Sequence, residues 1–311
     1  MQPISHKLAA IIIVVLATIP CLAQDNDSNS VKIVEQLYPN LAAGVLTYAK
    51  VGVLPEGILL KTEGIEIAQK DIDQAIQQQP EQFQQELRKN AFFVLEQQAT
   101  SKLLLKIAND KLGKQSKDTN MIPDSNIIKT FFENITKDIN VTDQDVETFY
   151  KENESVFCGT PLNSVRKQIV SYVLQDKQQR FVDQYIQTLG LKMEILVSDS
   201  WTKQQAVNAK DNPLDMARAA GKPTLAIFSA ASCCGPDKMI PIRDALLKKY
   251  DTKINIVYIE PRQEQILAAR YGIRAIPTQV FYDKTGKEFF RHSGFFSEKD
   301  IIGKLSEMGV Q

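Results

Sequence analysis

The chain has 311 residues, of which 37 are basic and 37 acidic, so its formal net charge at pH 7 is zero. Because neither sign of charge forms a large block, the composition argues against binding to nucleic acid or to an acidic membrane surface. The chain contains only two histidines, which removes most histidine-based catalysis and metal sites, and we expect no metal and no cofactor. The length is sufficient for two domains.

The first 23 residues have the layout of a secretory signal peptide. A short basic start at His6 and Lys7 precedes an apolar run over residues 8–19, and small residues occupy the two positions that a signal peptidase reads before a cut after Ala23. The apolar run is short for a membrane span, and Pro20 before Cys21 makes a poor lipoprotein signal. We therefore expect cleavage after Ala23 and export of the mature chain to a periplasm.

Three cysteines remain after this cleavage, namely Cys158, Cys233 and Cys234. Disulfides persist in exported compartments. An odd number of cysteines leaves at least one thiol free or available for a bond between molecules.

Residues 24–53 are predicted to be an N-terminal extension that precedes a mostly helical domain over residues 54–198. A short strand pair is expected over residues 58–67, turning at Glu63 and Gly64. A helix is expected to begin at Asp71. From Pro80 to Ile107, apolar residues recur at spacings of three and four, which predicts one long amphipathic helix.

Two segments of this domain carry a family resemblance. Residues 60–72 and residues 141–153, in which Thr142 and Asp145 form a capping-box pattern, resemble the N-terminal region of SurA and related PpiC-like periplasmic chaperones. The resemblance spans roughly residues 54–196. It implies a helical cradle that holds unfolded exported proteins. The alternative is that these helices only pack on one another and support the C-terminal domain.

The isomerase domain of those chaperones is missing here. Only residues 158–164 separate Phe157 from the next predicted helix, Val165–Leu189, and seven residues cannot form a folded domain. No prolyl isomerase activity is therefore expected. Cys158 lies in this short connection, where it is either a small buried apolar residue or a distant resolving thiol.

Residues 199–211 are predicted to be a linker to a second domain, residues 212–311. Asn212 is expected to cap a short helix and Ser297 the last one. Between them the pattern predicts two strands, residues 224–228 and 254–259, each followed by a helix, the second of these helices over residues 263–271. A hairpin over residues 278–282 and 288–292 then leads to the final helix. The strand over residues 254–259 is nearly continuous in apolar residues, as a buried parallel strand should be.

The segment Thr224–Pro241, TLAIFSAASCCGPDKMIP, and the segment Ala275–Thr278 resemble the active site of the thioredoxin family. The resemblance covers roughly residues 212–309 and implies an α/β thioredoxin fold there, so the whole chain is expected to be an α+β multidomain protein. The C-x-x-C pair of thioredoxins is absent. The spacing from Phe228 to Pro241 favours Cys233 as the attacking cysteine, which leaves Pro236 at the resolving position.

A second alignment matches Cys234-Gly235-Pro236 to the C-G-P of thioredoxins and places Asp237 at the resolving position. In either alignment the second thiol is missing. A cysteine at a helix N terminus has a lowered pKa and a larger thiolate fraction. The resemblance also implies that Ile276 and Pro277 form a cis-proline turn that binds an extended client, and that Ile227 replaces a buried aspartate.

The resemblances together imply an exported folding factor that forms mixed disulfides with client proteins and holds them. The expected partners are unfolded or cysteine-containing exported proteins, together with a membrane thiol-disulfide reductase. The alternative is a redox-silent chaperone in which both domains are binding surfaces. The sequence leaves open the clients, the redox direction and the oligomeric state.

Overall fold

The computed structural model describes residues 32–112, 123–153, 157, 159–231 and 237–311. The predicted signal peptide, Cys158, and the pair Cys233 and Cys234 with Pro236 therefore lie outside the described residues. Within the described ranges, no helix has the length and apolar character needed to cross a bilayer.

The first part of the chain is built on a four-stranded sheet. Its strands are β1 (Lys50–Gly52), β2 (Ile58–Thr62), β3 (Ile65–Ala68) and β4 (Leu196–Ser198), in the order β1-β4-β2-β3. The predicted hairpin is confirmed, since β2 and β3 pair antiparallel and Gly64 adopts a positive φ of 72° at the turn. The strand β4 lies far along the chain and pairs with both β1 and β2.

Eight helices are described around this sheet. They are α1 (Val34–Leu37), α2 (Gln69–Gln77), α3 (Glu81–Lys89), α4 (Ala91–Leu112), α5 (Asp124–Thr136), α6 (Asp143–Glu152), α7 (Leu162–Lys192) and α8 (Asp199–Ala209). The capping box of α6 is confirmed, because the side chain of Thr142 accepts the backbone N–H of Asp145 at 3.2 Å.

The prediction of one helix from Pro80 to Ile107 is wrong. The helix ends at Lys89 and a new one starts at Ala91. Asn90 lies between them with φ −108° and ψ 37°, and its side-chain amide donates to the carbonyl oxygen of Glu86 at 3.0 Å. Asparagine readily exchanges helical geometry for such local side-chain bonds, so the periodicity continues while the helix axis is interrupted.

Residues 32–53, expected to be an extension, contribute to the core. Val34, Val45 and Leu46 are fully buried. The carboxylate of Glu96 on α4 anchors this segment by accepting three backbone N–H groups at 2.8 to 3.1 Å. Burial raises the pKa of Glu96, against the opposing effect of those three hydrogen bonds.

The predicted linker, residues 199–211, is also ordered structure. Its first eleven residues form α8, which carries four buried side chains, Thr202, Gln205, Ala206 and Ala209. Trp201 stacks on Phe92 of α4 with ring centroids 6.2 Å apart. Part of the polar composition that indicates a linker is buried here, since Thr202 and Gln205 are enclosed while the apolar Val207 is exposed.

The last third of the chain forms a second four-stranded sheet. Its elements are α9 (Pro213–Ala219), β5 (Thr224–Phe228), α10 (Met239–Tyr250), β6 (Asn255–Ile259), α11 (Gln265–Arg270), β7 (Thr278–Tyr282), β8 (Glu288–Ser293) and α12 (Glu298–Glu307). The sheet order is β6-β5-β7-β8, with β5 and β6 parallel and the other pairs antiparallel. The predicted order of elements is confirmed, as are the caps at Asn212 and Ser297.

One expectation about this sheet is corrected. The strand β6 lies at the edge of the sheet, and only Ile259 among its residues is buried. The two central strands, β5 and β7, are buried at every position. An apolar run alone does not distinguish a central strand from an edge strand whose face is covered by a helix.

Candidate functional site

The cysteine pair follows β5 and precedes α10. The described residues on its two sides are Ala231 and Asp237. The last residue of β5, Phe228, and the first of α10, Met239, are both fully buried. The segment that contains the cysteines is therefore flanked on both sides by core residues, although the cysteines themselves lie outside the described residues.

Asp237 is the centre of a buried polar cluster at the start of α10. It is 8% exposed. Its Oδ1 accepts the backbone N–H of Met239 at 2.7 Å and the hydroxyl of Ser229 at 2.9 Å. Its Oδ2 accepts a short hydrogen bond from the hydroxyl of Tyr258 on β6. The carboxylate therefore ties the helix N terminus to the ends of two neighbouring strands.

Burial and the adjacent Asp237 carboxylate raise the pKa of Tyr258 well above its usual value. The guanidinium of Arg243 lies over the Tyr258 ring, 5.2 Å from its centroid, and acts in the opposite direction. The Tyr258 oxygen also lies 3.0 Å from the carbonyl oxygen of Ser229, so its single hydrogen is shared between this carbonyl and Asp237. The phenol is therefore neutral at physiological pH and serves as a hydrogen-bond donor.

The position that the thioredoxin resemblance assigns to a buried aspartate is apolar here. Ile227 is fully buried and pairs with Gln279 of β7. The amide of Gln279 approaches the sulfur of Met239 at 3.6 Å, and its buried Oε1 has no hydrogen-bond partner among the residues that the structure describes. The buried carboxylate of this site therefore comes from Asp237 at the start of the helix.

The Ile276–Pro277 peptide bond is cis, as the resemblance implies. Thr278, the first residue of β7, pairs with Phe228, the last residue of β5. Pro277 therefore lies at the same end of the two central strands as the residues that lead into the cysteine pair. Ile276 is 40% exposed. The hydroxyl of Thr278 donates to the carbonyl oxygen of Ala275 at 2.7 Å and braces the turn from inside.

The end of α6 reaches this turn from the first part of the chain. The N–H of Gly294 donates to the carbonyl oxygen of Pro277 at 2.8 Å. Gly294 has a φ of 114°, and a Cβ there would lie 3.2 Å from Cγ of Asn153 and closer to its Oδ1. Asn153 is 4% exposed, and Cys158 follows it by five residues in the chain.

Comparisons with known proteins identify this part of the chain. Residues 211–309 match the family model described as a thioredoxin-like domain. A thioredoxin of Pyropia yezoensis is 34% identical over 112 residues, which cover 36% of this chain and 92% of that protein. A thioredoxin of Porphyra purpurea is 36% identical over 92 residues, 29% of this chain and 74% of that protein. The chain belongs to the thioredoxin family.

Among solved structures, the thioredoxin NaTrxh of Nicotiana alata is 28% identical and covers 30% of this chain and 80% of its own, with a TM-score of 0.27. Membership of the thioredoxin family supports a thiol-disulfide redox function in general.

Within the described ranges, no group of three or more His, Cys, Asp or Glu side chains is arranged to hold a metal ion.

The structure brings together Ile276, Pro277 and the two ends of the cysteine segment. The sequence patterns did not indicate Ser229 or Tyr258 as parts of the site. They indicated Asp237 only as the residue that replaces the resolving cysteine in the second alignment. Two signals were available. Asp237 lies two residues before the first residue of α10, close to the position where aspartate commonly caps a helix, and Tyr258 is a hydroxyl-bearing residue in a mostly apolar strand.

Proposed function

We propose that the protein is an exported folding factor that performs thiol-disulfide exchange with client proteins through an atypical thioredoxin domain. The observation that carries this proposal is the position of the exposed Ile276, which lies beside the start of β7, at the end of the sheet where β5 leads into the cysteine pair. An extended client laid along Ile276 presents its sulfur to a cysteine that follows β5.

One thiolate on the protein is sufficient for the exchange step. The thiolate of Cys233 or Cys234 attacks one sulfur of a client disulfide, a protein–client disulfide forms, and the client's other sulfur leaves as a thiolate. A second thiolate, from the client, a small thiol or a partner reductase, then attacks the mixed disulfide and releases the protein's thiolate. If a different thiolate of the same client attacks the mixed disulfide, a new client disulfide forms, and the net result is isomerisation without a change in redox state.

The identity of the attacking cysteine can be tested by restoring a second thiol. The spacing to Pro241 favours Cys233, for which Pro236→Cys completes a C-x-x-C pair. The C-G-P match favours Cys234, for which Asp237→Cys completes one, and the buried place of Asp237 supports that second assignment. We expect one variant to gain dithiol-dependent reduction of insulin, at least tenfold over the wild type, and the other to gain none.

If neither variant gains activity while both remain folded, the proposed exchange is wrong. The redox-silent binding protein would then be the better account, because the missing C-x-x-C pair already favours it. Urea midpoints of both variants are needed as a control, since Asp237→Cys also removes three hydrogen bonds at the start of α10.

The second part of the proposed function is client holding by a SurA-like helical domain, predicted over residues 54–198 and extended by the buried residues 32–53 and by α8, which precedes the thioredoxin domain at residues 212–311. A groove of about 520 Å³ between α4 and α7 supports it. Its walls include Ile107, Tyr185 and Leu189, and Phe181 is 39% exposed at one end. From Phe181 to Lys192 the groove follows three turns of α7, about 16 Å at 1.5 Å per residue. This length suits an apolar client segment.

The holding activity is tested with the full chain and an aggregating unfolded client. We expect the protein to suppress aggregation and not to accelerate prolyl isomerisation in a peptide assay. Phe181→Ser should weaken the suppression several-fold. Phe289→Ser is the matched control, because Phe289 is an aromatic residue of similar exposure, 47%, on β8 of the other sheet. Equal effects of the two substitutions would contradict a specific role for the groove.

Cys158 is proposed as the internal resolving thiol of this exchange. The support is chain connectivity, since Asn153 contacts Gly294 beside Pro277 and Cys158 follows Asn153 by five residues. Cys158→Ser should then lengthen the life of mixed disulfides. An unchanged lifetime would leave external thiols, including those of a membrane reductase, as the resolving groups.

Export to a periplasm is part of the proposal and rests on residues 1–23 alone. Mass spectrometry of the protein purified from an exporting cell should find Gln24 as the first residue. A retained Met1 or a lipid on Cys21 would contradict cleavage after Ala23.

A further inference from the structure

The groove between α4 and α7 is apolar at one end and basic along the rest of its length. Phe181 of α7 lies at the apolar end and is 39% exposed. Lys111 of α4 and Lys192 of α7 line the remainder, together with the apolar parts of Tyr185 and Leu189. None of the residues that line the groove is acidic. A ligand that complements these walls is apolar and carries negative charge.

The order of these side chains follows from their spacing along α7. Tyr185 lies about one turn after Phe181, and Lys192 lies about two turns after Tyr185, on the same face of the helix. The ammonium group of Lys111 lies 5.8 Å from the centroid of the Tyr185 ring. At a rise of about 1.5 Å per residue, the two lysines are therefore separated by about 10 Å along the groove.

Neither lysine is neutralised by an acidic residue of the described protein. Among the residues that the structure describes, no carboxylate lies within ion-pair distance of Lys111 or Lys192. The acidic residues closest to the groove segment of α7 in the chain, Asp183 and Glu194, pair with basic residues that do not line the groove. Asp110 is exposed and does not line the groove either. Both positive charges are therefore available to a bound ligand.

We propose that the groove selects apolar client segments that carry two acidic side chains at one end, with the apolar part against Phe181 and the carboxylates at Lys111 and Lys192. This inference rests on the proposed holding function. Two separated lysines match two carboxylates, whereas the C terminus of a client would supply only one. An extended chain spans the distance of about 10 Å in about three residues, so both carboxylates fit within one short segment.

The preference for acidic segments arises at the groove and not from the charge of the whole molecule. The formal net charge of the chain is zero, and charges in solution act over about 10 Å at an ionic strength of about 0.1 M. An ion pair of exposed groups strengthens binding by about two- to fivefold. If Lys111 served only to cover the Phe131 and Tyr185 rings with its aliphatic stem, the charge of the ligand would have no effect.

The test measures the binding of three labelled peptides to the full chain by fluorescence anisotropy. The peptides share one apolar core and differ only in two residues at one end, which are aspartates, asparagines or lysines. At low salt we expect the acidic peptide to bind about 4- to 20-fold more tightly than the neutral one, and the basic peptide to bind more weakly than both. Raising the salt concentration to about 0.5 M should bring the three affinities together, because salt screens exposed charges.

Substitution of the two lysines assigns the preference to the groove. Lys111→Gln and Lys192→Gln remove one charge each and keep most of the stem, so each should reduce the preference for the acidic peptide by about two- to fivefold and leave the neutral peptide unaffected. Lys102→Gln is the matched control. Lys102 lies on α4, does not line the groove and has no ion pair among the described residues, so its removal should change none of the affinities.

The outcomes separate this inference from the holding function. Equal affinities for the three peptides, all reduced by Phe181→Ser, would overturn the charge preference and leave holding in place. A preference that survives in the double variant Lys111→Gln/Lys192→Gln would also overturn it. Binding of no peptide, or binding that is unaffected by Phe181→Ser, would reject holding at the groove itself. A dimer in sedimentation that Phe181→Ser dissociates would assign the groove to a second copy of the chain and overturn the proposal.

Discussion

The close approach of α7 to the N-terminal segment can be tested at Gly190. A Cβ added at this position would lie 3.0 Å from the carbonyl carbon and 3.2 Å from the Cα of Val45, and closer still to the carbonyl oxygen. Ordinary contacts between carbon atoms are 3.5 to 4.0 Å, so Gly190→Ala requires the helix and the segment to separate by about 0.5 to 1 Å. Val45 and Leu46 are fully buried, which leaves the segment little room to move.

Overpacking of this kind costs about 1 to 3 kcal/mol, and alanine recovers about 1 kcal/mol of helix propensity over glycine. The net expectation for Gly190→Ala is a loss of up to about 2 kcal/mol, or a fall in melting temperature of up to about 4 to 8 °C for a protein of this size. Thermal unfolding followed by circular dichroism measures it.

Gly303→Ala on α12 is the matched control, because a Cβ there meets no atom within 4 Å. It should raise the stability by up to about 1 kcal/mol. If Gly190→Ala is as harmless as Gly303→Ala, residues 32–53 do not pack against α7 as described.

Three further predictions concern acidic side chains and the groove. Hydrogen bonds from Lys177 and Thr142 lower the pKa of Asp145 to about 2. The contribution of Asp145 to stability is therefore present above about pH 4 and is lost as the pH falls towards 2. Urea midpoints should show this loss of stability in acid for the wild type and a smaller loss for Asp145→Asn. Burial raises the pKa of Glu96. The contribution of Glu96 to stability is therefore fully present below about pH 4.3 and is lost as the pH rises through the raised pKa. Urea midpoints of Glu96→Gln should lack this decline in stability, and a decline of equal size in the variant would contradict the prediction. Lys111 lies over the Phe131 ring beside the groove, 5.6 Å from its centroid, and Lys111→Glu should weaken capture of clients with acidic flanks more than clients with basic flanks, as read by anisotropy of labelled peptides.

The local signals predicted much of the C-terminal fold correctly. Asn212 and Ser297 cap their helices as expected, and the hairpin over β7 and β8 follows from two short apolar strands around a turn. These features depend on interactions within a few residues. The edge position of β6 depends on which strands pair, and an apolar run carries no information on that.

The errors in the first part arise from long-range packing. The break at Asn90 is accompanied by a weak contact at 3.5 Å from Arg270, 180 residues later. The segment that contains Val45 looks like an extension because its partners, Glu96 and Gly190, are distant in sequence. At the candidate site, the polar cluster needed three separate elements to come together, so Ser229 and Tyr258 could not be assigned from spacing.

The central claim is that a cysteine after β5 forms mixed disulfides with clients. The most direct measurement is a non-reducing gel of the full chain after exposure to an oxidised client, for the wild type, Cys233→Ser and Cys234→Ser. With no second thiol in a C-x-x-C pair, we predict that adducts accumulate on the wild type without any trapping substitution, and that exactly one of the two variants loses them. Adducts in none of the three proteins would contradict the account.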